Sequence, residues 1–422
     1  MQLTNEILNK IDELRNLYPD AISIGYGPKI SNGEATGEPA IIYQLKKKKA
    51  IVDLSPEEII PSEIQINKDV IKTDIVEIFT VNSLACNIGC GEDNGTSSIP
   101  NRTYTRPIKG ALSITTSNNY PSRGTIGGLV KHTQSGAVVG LTNNHVTVQD
   151  AFYTSQRNQS GLLQNEYNPV NVVYQNTEPN VPNSSDIIGQ SLRYVPILQF
   201  GTGVNQVDAA IFSLSEDVID VDSSWDQVGL SLTQNPPFAT TSEINNLYAT
   251  NPQLYSSGRT TGPKGGPLCP LTIYQVGANT IVNFKLQGVN TPCTFTNCIV
   301  FVKPDPATPT AQVPQCFNPV RPGDSGSLLL ADIGGTIKVI GLNFAGGEDT
   351  SGNTIYGWAC RIDQVAAQLG IEWWDNTEPL TVVDLTSIEY KTVAGGSSNK
   401  TLTCETKEYW QVGLTGTLDN PC

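Results

Sequence analysis

The stretch Asn318-Pro-Val-Arg-Pro-Gly-Asp-Ser-Gly-Ser-Leu-Leu-Leu330 decides how the rest of the chain is read. Gly323-Asp324-Ser325-Gly326 forms a tight turn that runs directly into an apolar strand. Glycines on both sides of a serine let the backbone turn sharply. They also let N–H groups converge near the hydroxyl. An acyl-transfer nucleophile needs this arrangement: an accessible Ser325 Oγ, with the N–H groups of Gly323 and Ser325 placed to hold an oxyanion. Four residues carry little weight alone, so their partners decide the reading.

A serine nucleophile needs a base, usually histidine, and the chain contains only His132 and His145. His145 lies in Gly140-Leu-Thr-Asn-Asn-His-Val-Thr-Val148, directly after an apolar run, so it sits at a strand end where a side chain can face a cleft. His132, in Lys131-His-Thr-Gln-Ser-Gly136, precedes a hairpin turn and reads as a surface residue. The third member of such a site is a carboxylate held away from water to orient the imidazole. Asp208, in Gln206-Val-Asp-Ala-Ala-Ile-Phe-Ser-Leu214, is the only charge in an apolar strand. A buried carboxylate needs a partner, and an imidazole would serve. Asp186, in Ser184-Ser-Asp-Ile-Ile-Gly189, competes for the role, but its polar neighbours mark a turn.

Composition narrows the class. The chain has 422 residues, of which only 16% are charged, and it is rich in Asn, Ser, Thr, Gly and Pro, as expected of a β protein with many turns. A net charge of −14 and a pI near 4.6 argue against nucleic-acid binding, which wants a basic face. The one dense basic run, Lys46–Lys49, reads as a solvated strand end or loop. No stretch approaches the ~20 apolar residues of a membrane span. The first residues lack a basic region followed by an apolar core, which favours a cytoplasmic chain over a secreted one. The nine cysteines are odd in number, and Cys86/Cys90 and Cys293/Cys298 are close enough for small loops. No pair has C-x-x-C spacing and histidine is scarce, so neither a metal nor a cofactor is expected.

Along the chain, apolar residues at Leu3, Ile7, Leu8, Ile11, Leu14 and Leu17 have helical spacing. The runs Ala21–Tyr26, Pro39–Leu45 and Ile75–Val81 follow as strands, giving a small α+β module over residues 1–80: a folding propeptide, a docking domain or a packed extension. Residues 81–105 read as a Gly/Ser/Asn linker. Residues 106–375 alternate short apolar runs with turns, with one helical segment at Asp363–Leu369, as in a sandwich or barrel pair. A long polar insert, Gln149–Gln190, interrupts them. Residues 376–422 form a β-rich appendage with runs Leu380–Leu385 and Tyr409–Leu414.

Thr142-Asn-Asn-His-Val146, Val207-Asp-Ala-Ala-Ile211 and Gly323-Asp-Ser-Gly-Ser327 resemble the three catalytic blocks of chymotrypsin-like serine peptidases, in that family's order. Ser257-Gly-Arg-Thr-Thr-Gly262 is similar to the segment that opens the second barrel in the bacterial streptogrisin and α-lytic branch. Val339-Ile-Gly-Leu-Asn-Phe-Ala-Gly-Gly347 is similar to the strand whose edge pairs with substrate backbone. These blocks cover residues 106–372, about two-thirds of the chain. The resemblance implies a mainly β fold of two six-stranded antiparallel barrels and a serine endopeptidase acting on a polypeptide substrate. It implies catalytic His145, Asp208 and Ser325, an oxyanion hole from Gly323 and Ser325, and substrate contacts at Phe344, Ala345 and Gly346. Asp324 would be a structural residue of the oxyanion loop.

The chain departs from the family in two ways. Val146 stands where a cysteine often follows the histidine, and no cysteine lies between Cys90 and Cys269, so the first barrel has no disulfide of its own. No basic residue followed by Ile-Ile-Gly-Gly or Ile-Val-Gly-Gly marks activation by a new N-terminus. By analogy the primary pocket lies between Pro314–Val320 and the walls Phe344–Gly347 and Tyr356–Ala359; Pro314–Val320 contains no acid, which implies an uncharged residue ahead of the scissile bond. The alternative is a catalytically silent peptidase-like domain used for binding or structure, as in a surface or virion assembly.

Overall fold

In the computed structural model, short apolar runs separated by Gly, Asn and Pro turns build two mostly antiparallel strand systems. The structure describes residues 2–31, 34–84, 100–116, 123–147, 152–153, 172–175, 183–199, 201, 203–265, 269–286, 289–303, 318–349 and 354–377. Most of the linker, with Cys86 and Cys90, most of the insert Gln149–Gln190, Pro314–Phe317 and the appendage beyond residue 377 lie outside the described residues.

The first described helix is α1 (Asn5–Leu17). Leu3 ahead of it and Ile7, Ile11 and Leu14 within it fall at helical spacing and are all buried, so the helix forms by laying one apolar stripe on a sheet. Thr4 starts it, its Oγ1 accepting the Ile7 N–H at 3.4 Å. Strands β1 (Ser23–Ser31) and β2 (Glu34–Leu45) form a hairpin; β3 (Glu63–Ile66) and β4 (Asp69–Glu77) form another, and β4 runs parallel to β2. Strand β5 (Thr80–Ser83) follows almost at once.

The first strand system joins β6 (Ser113–Thr116), β7 (Gly124–Thr125), β8 (Gly128–His132), β9 (Val138–Thr142), β11 (Val172–Gln175), β12 (Ile187–Tyr194), β14 (Ala210–Phe212) and β22 (Ile371–Trp373). A short parallel pair, β10 (Phe152–Tyr153) with β13 (Ile197–Leu198), stands beside it. The second system contains β15 (Leu254–Gly258), β16 (Gly262–Gly265), the long hairpin β17 (Thr272–Leu286) and β18 (Val289–Val302), then β19 (Leu328–Ile333), β20 (Thr336–Glu348) and β21 (Thr354–Arg361). A helix over Ile362–Leu369 links β21 to β22 and ends at Gly370 in the left-handed region.

Hydrogen bonding ties eight strands into the first system and twelve into the second, because the strands before residue 84 add to the latter. β1 runs antiparallel to β17, with Ser23 opposite Thr280 and Tyr26 opposite Val276. Between these contacts β17 bulges at Gly277, φ +67°. A Cβ there would come within 2.7 Å of Leu8 Cδ2, so the bare backbone is what lets α1 settle against the ribbon. Apolar residues of α1 and β1–β5 share one core with β17–β21, including Ile24, Tyr26, Ile41, Val276, Phe295 and Trp358. A smaller core, with Ile114, Ile126, Val173 and Phe212, belongs to the first system.

β5 occupies a gap between β17 and β20. It runs antiparallel to Ala345–Glu348 on one side and meets Asn283 of β17 on the other. Asn82 and Ser83, expected from their polar composition to begin a linker, are therefore strand residues; the partner edge that orders them lies far away in sequence. The close spacing of Cys293 and Cys298 is not used for a disulfide. Both are free and buried on β18, as is Cys360 on β21, whereas Cys269 is disulfide-bonded. Among the described residues no helix is long and apolar enough to cross a membrane.

Candidate active site

β9 carries an unbroken buried run, Val138–Thr142, into the first system, and the chain then turns through Asn143 into the short helix α2 (Asn144–Thr147). This places His145 at the strand's end, nearly buried. Asp208 lies just ahead of β14, which pairs with β9, so adjacent strand ends bring the two side chains together. Asp208 Oδ2 pairs with His145 Nδ1, and Oδ1 accepts the His145 N–H at 3.2 Å. The backbone around Asp208 is fixed as well: its carbonyl accepts from Asn143 Nδ2 at 2.6 Å, and its N–H donates to Cys360 Sγ at 3.2 Å. A fully buried carboxylate with these partners holds the imidazole in one tautomer, Nδ1 protonated and Nε2 free to accept.

Ser325 arrives from the second system. Its Oγ lies 2.7 Å from His145 Nε2. The turn that presents it is over-determined. Gly323 has φ +100° and Gly326 φ +90°. A Cβ on Gly323 would fall 2.5 Å from Thr260 Oγ1, and one on Gly326 would fall 2.3 Å from both Thr125 O and Thr142 Oγ1. The first system grips the turn through Thr125, whose N–H donates to Ser325 O and whose Oγ1 donates to Gly323 O, both at 2.8 Å. Asp324 is buried, and its carboxylate accepts the N–H groups of Thr260, Thr261 and Arg321 at 2.8–3.0 Å. Burial pushes this carboxyl up, against the three N–H groups that favour its charged form. The Ser257–Gly262 block thus serves the site by clamping the turn through Thr260 and Thr261.

Beneath the imidazole is an aromatic floor. His145 meets Phe284 edge-on at 5.8 Å, and Phe284, Phe295 and Phe344 follow one another at 5.8 and 4.7 Å between ring centres. Such packing keeps water off that side of the ring and strengthens the pairing with Asp208.

Gly323 donates its N–H to the carbonyl of Leu84 at 2.7 Å. Leu84 also donates its own N–H to Phe344 O at 2.9 Å, and the residues before it run along β20: Ser83 opposite Ala345, Asn82 opposite Gly346, Val81 opposite Gly347. The edge at Phe344, Ala345 and Gly346 is therefore occupied by the chain's own residues 80–84. The sequence pattern does not mark Leu84, Thr125 or Cys360 as site residues. For Leu84 the sequence carries only a faint sign, a short Val-Asn-Ser-Leu run with apolar ends shortly ahead of glycines, and for the others it carries none.

The two carboxylates and two histidines compared from sequence separate clearly. Asp186 caps a short turn, accepting the Asn183 N–H at 3.0 Å. His132, expected at the surface, is only 1% exposed. Its Nδ1 accepts the Ser135 N–H at 3.2 Å, folding the ring back over its hairpin, and β22 pairs alongside it. Burial, with Arg193 nearby, lowers this imidazole to about 4. Among the described residues no cluster of His, Cys, Asp and Glu could hold a metal ion.

No protein-family model matches the chain. No curated protein sequence matches it either. Solved structures similar to it include a glutamic-acid-specific serine protease, with 15% identity and a TM-score of 0.36 over 63% of this chain and 100% of that one. Cellulomonas bogoriensis chymotrypsin gives 14%, 0.35, 64% and 98% for the same measures. Thermobifida fusca protease A gives 14%, 0.32, 64% and 98%. TM-scores below 0.5 are too low to carry an activity from these proteins to this chain.

Proposed function

We propose that the protein is a serine endopeptidase that hydrolyses polypeptides through Ser325, His145 and Asp208. The observation that carries this reading is the 2.7 Å approach of Ser325 Oγ to the Nε2 of an imidazole whose other nitrogen is paired with a buried carboxylate. His145 takes the proton as Ser325 Oγ attacks a peptide carbonyl, then returns it to the leaving amine. Asp208 fixes the tautomer and stabilises the imidazolium. The N–H groups of Gly323 and Ser325 hold the oxyanion, a donor of this kind contributing about 3–4 kcal/mol to the transition state. Water then enters by the same base and releases the acyl group. The edge from Phe344 to Gly346 pairs with substrate backbone.

In this reading residues 106–375 are the peptidase unit and residues 1–80 a module that acts on it. The test is labelling of the full chain by a fluorophosphonate probe, wild type beside Ser325→Ala. Probe on the wild type and none on the variant is expected, together with hydrolysis of unfolded protein substrates by the wild type alone. A wild type that neither takes the probe nor cleaves any substrate would sink the proposal and favour a silent binding domain.

A further inference from the structure

We infer that residues Thr80–Leu84 are the protein's own substrate and that Ser325 cleaves the chain after Leu84; this rests on the peptidase reading above. Three observations converge. The Leu84 carbonyl accepts the N–H of Gly323, one of the two donors assigned above to the oxyanion, at 2.7 Å. The Leu84 N–H donates to Phe344 O at 2.9 Å, and Ser83, Asn82, Val81 and Thr80 continue antiparallel along Ala345–Glu348, with the Phe79 N–H reaching Glu348 O at 3.0 Å. Backbone pairing of this kind is how an extended peptide is held on a sheet edge while alternate side chains enter pockets. Finally, the Leu84 side chain fills a space that Gly346 leaves open. A Cβ on Gly346 would lie 2.9 Å from Leu84 Cδ2 and 3.5 Å from Val320 Cγ2.

The step balances. Ser325 Oγ bonds to the Leu84 carbonyl carbon as its proton passes to His145 Nε2. The bond from that carbon to the Ala85 nitrogen breaks, and the nitrogen takes the proton. One water, deprotonated by His145, hydrolyses the ester and leaves a Leu84 carboxylate and free Ser325. The same contacts assign the enzyme's preference: a leucine-sized apolar residue before the scissile bond, set by Gly346 and Val320. Because α1 and β1–β4 are built into the second sheet and its core, the cut does not release the N-terminal piece.

The experiment uses the full-length chain, incubated after purification and followed by mass spectrometry, size exclusion and fluorophosphonate labelling. Wild type is expected to yield a piece ending at Leu84 and a piece beginning at Ala85, eluting together, whereas Ser325→Ala stays whole. Leu84→Asp slows the cut at least tenfold, and Leu84→Ala, a milder change that keeps the backbone pairing, slows it less. A Val-Asn-Ser-Leu anilide is hydrolysed at least tenfold faster than its Asp- or Lys-ended counterparts, and Gly346→Val removes that preference. A wild-type chain that stays whole, or is cut only elsewhere, overturns the inference. If Ser325 still takes the probe in that case, the peptidase reading survives; if it takes none and no anilide is cleaved, both fall.

Discussion

The smaller core is drawn entirely from residues after 106, whereas the larger core joins the second strand system to the strands that precede residue 84 and also takes in Val139, Leu141 and Ile211 from the first. The contrast extends to the candidate site. The first supplies His145, Asp208 and the grip of Thr125; the second supplies Ser325, the edge at Phe344–Gly346 and the segment lying on it. His145 and Asp208 are therefore held within one system, while Ser325 and the edge at Phe344–Gly346 are held in the other together with the N-terminal strands. It follows that damage to the N-terminal region should reach Ser325's surroundings before it reaches His145's.

The largest effect expected at this seam is on the chemistry itself. Asp208→Asn keeps the packing but favours the wrong tautomer of His145, and kcat should fall by about 10⁴-fold with little change in unfolding midpoint; steady-state kinetics beside a urea melt measure both. Next comes the shared core. Ile41→Ala, at a fully buried position on β2, should cost about 2–5 kcal/mol. Hydrogen exchange should then show β17 and β20 loosening while β6 and β11, whose Ile114 and Val173 lie in the smaller core, keep their protection, and equal loosening of both would break the comparison.

A third effect belongs to the first system alone. The unfolded imidazole of His132 binds its proton near 6.5 and the folded one near about 4, so between these values the unfolded chain binds more protons and stability falls as pH falls. The loss is on the order of 3 kcal/mol across that window, and His132→Gln should flatten it. Urea midpoints from pH 7 to pH 4 provide the measurement; an unchanged slope in the variant would assign the acid limb to other groups. The smallest effects are at two partly exposed ion pairs, one per system: Lys109–Asp226 at 3.1 Å and Lys338–Glu243 at 2.6 Å. Lys109→Ala and Lys338→Ala should each change stability by less than about 1 kcal/mol. A loss of more than about 1 kcal/mol at Lys338 and not at Lys109 would sharpen the contrast, marking the second system as the one that depends on its surface ion pair.

Sequence patterns made the mainly β architecture readable, because apolar runs and turn residues act locally: Val138–Thr142, Leu328–Leu330 and the helix beginning near Asn5 are strand, strand and helix by short-range pattern. The site was readable for another reason. Ser325 between two glycines, a histidine at a strand end and a lone carboxylate among apolar residues each leave an unmet chemical need, and the structure brings the three side chains together. What could not be read depends on non-local contact. His132 looks like a hairpin surface residue until β22, from residues 371–373, covers it. Asn82 to Leu84 look like the start of a linker because nothing near them in sequence shows that β20 leaves an edge for them. Cys293 and Cys298 invite pairing by spacing alone, yet each is buried as a free thiol on one long strand.

The place of β5 between β17 and β20 has a consequence for how the molecule behaves at high concentration. Were this short strand to withdraw, Ala345–Glu348 would present a row of unmatched N–H and C=O groups, a template for any passing extended chain. The nearest complementary sequence in a crowded solution is the Thr80–Leu84 segment of another copy. Reciprocal exchange between two molecules would restore every lost hydrogen bond without a new contact, so conditions that loosen the segment should favour dimers joined arm in arm.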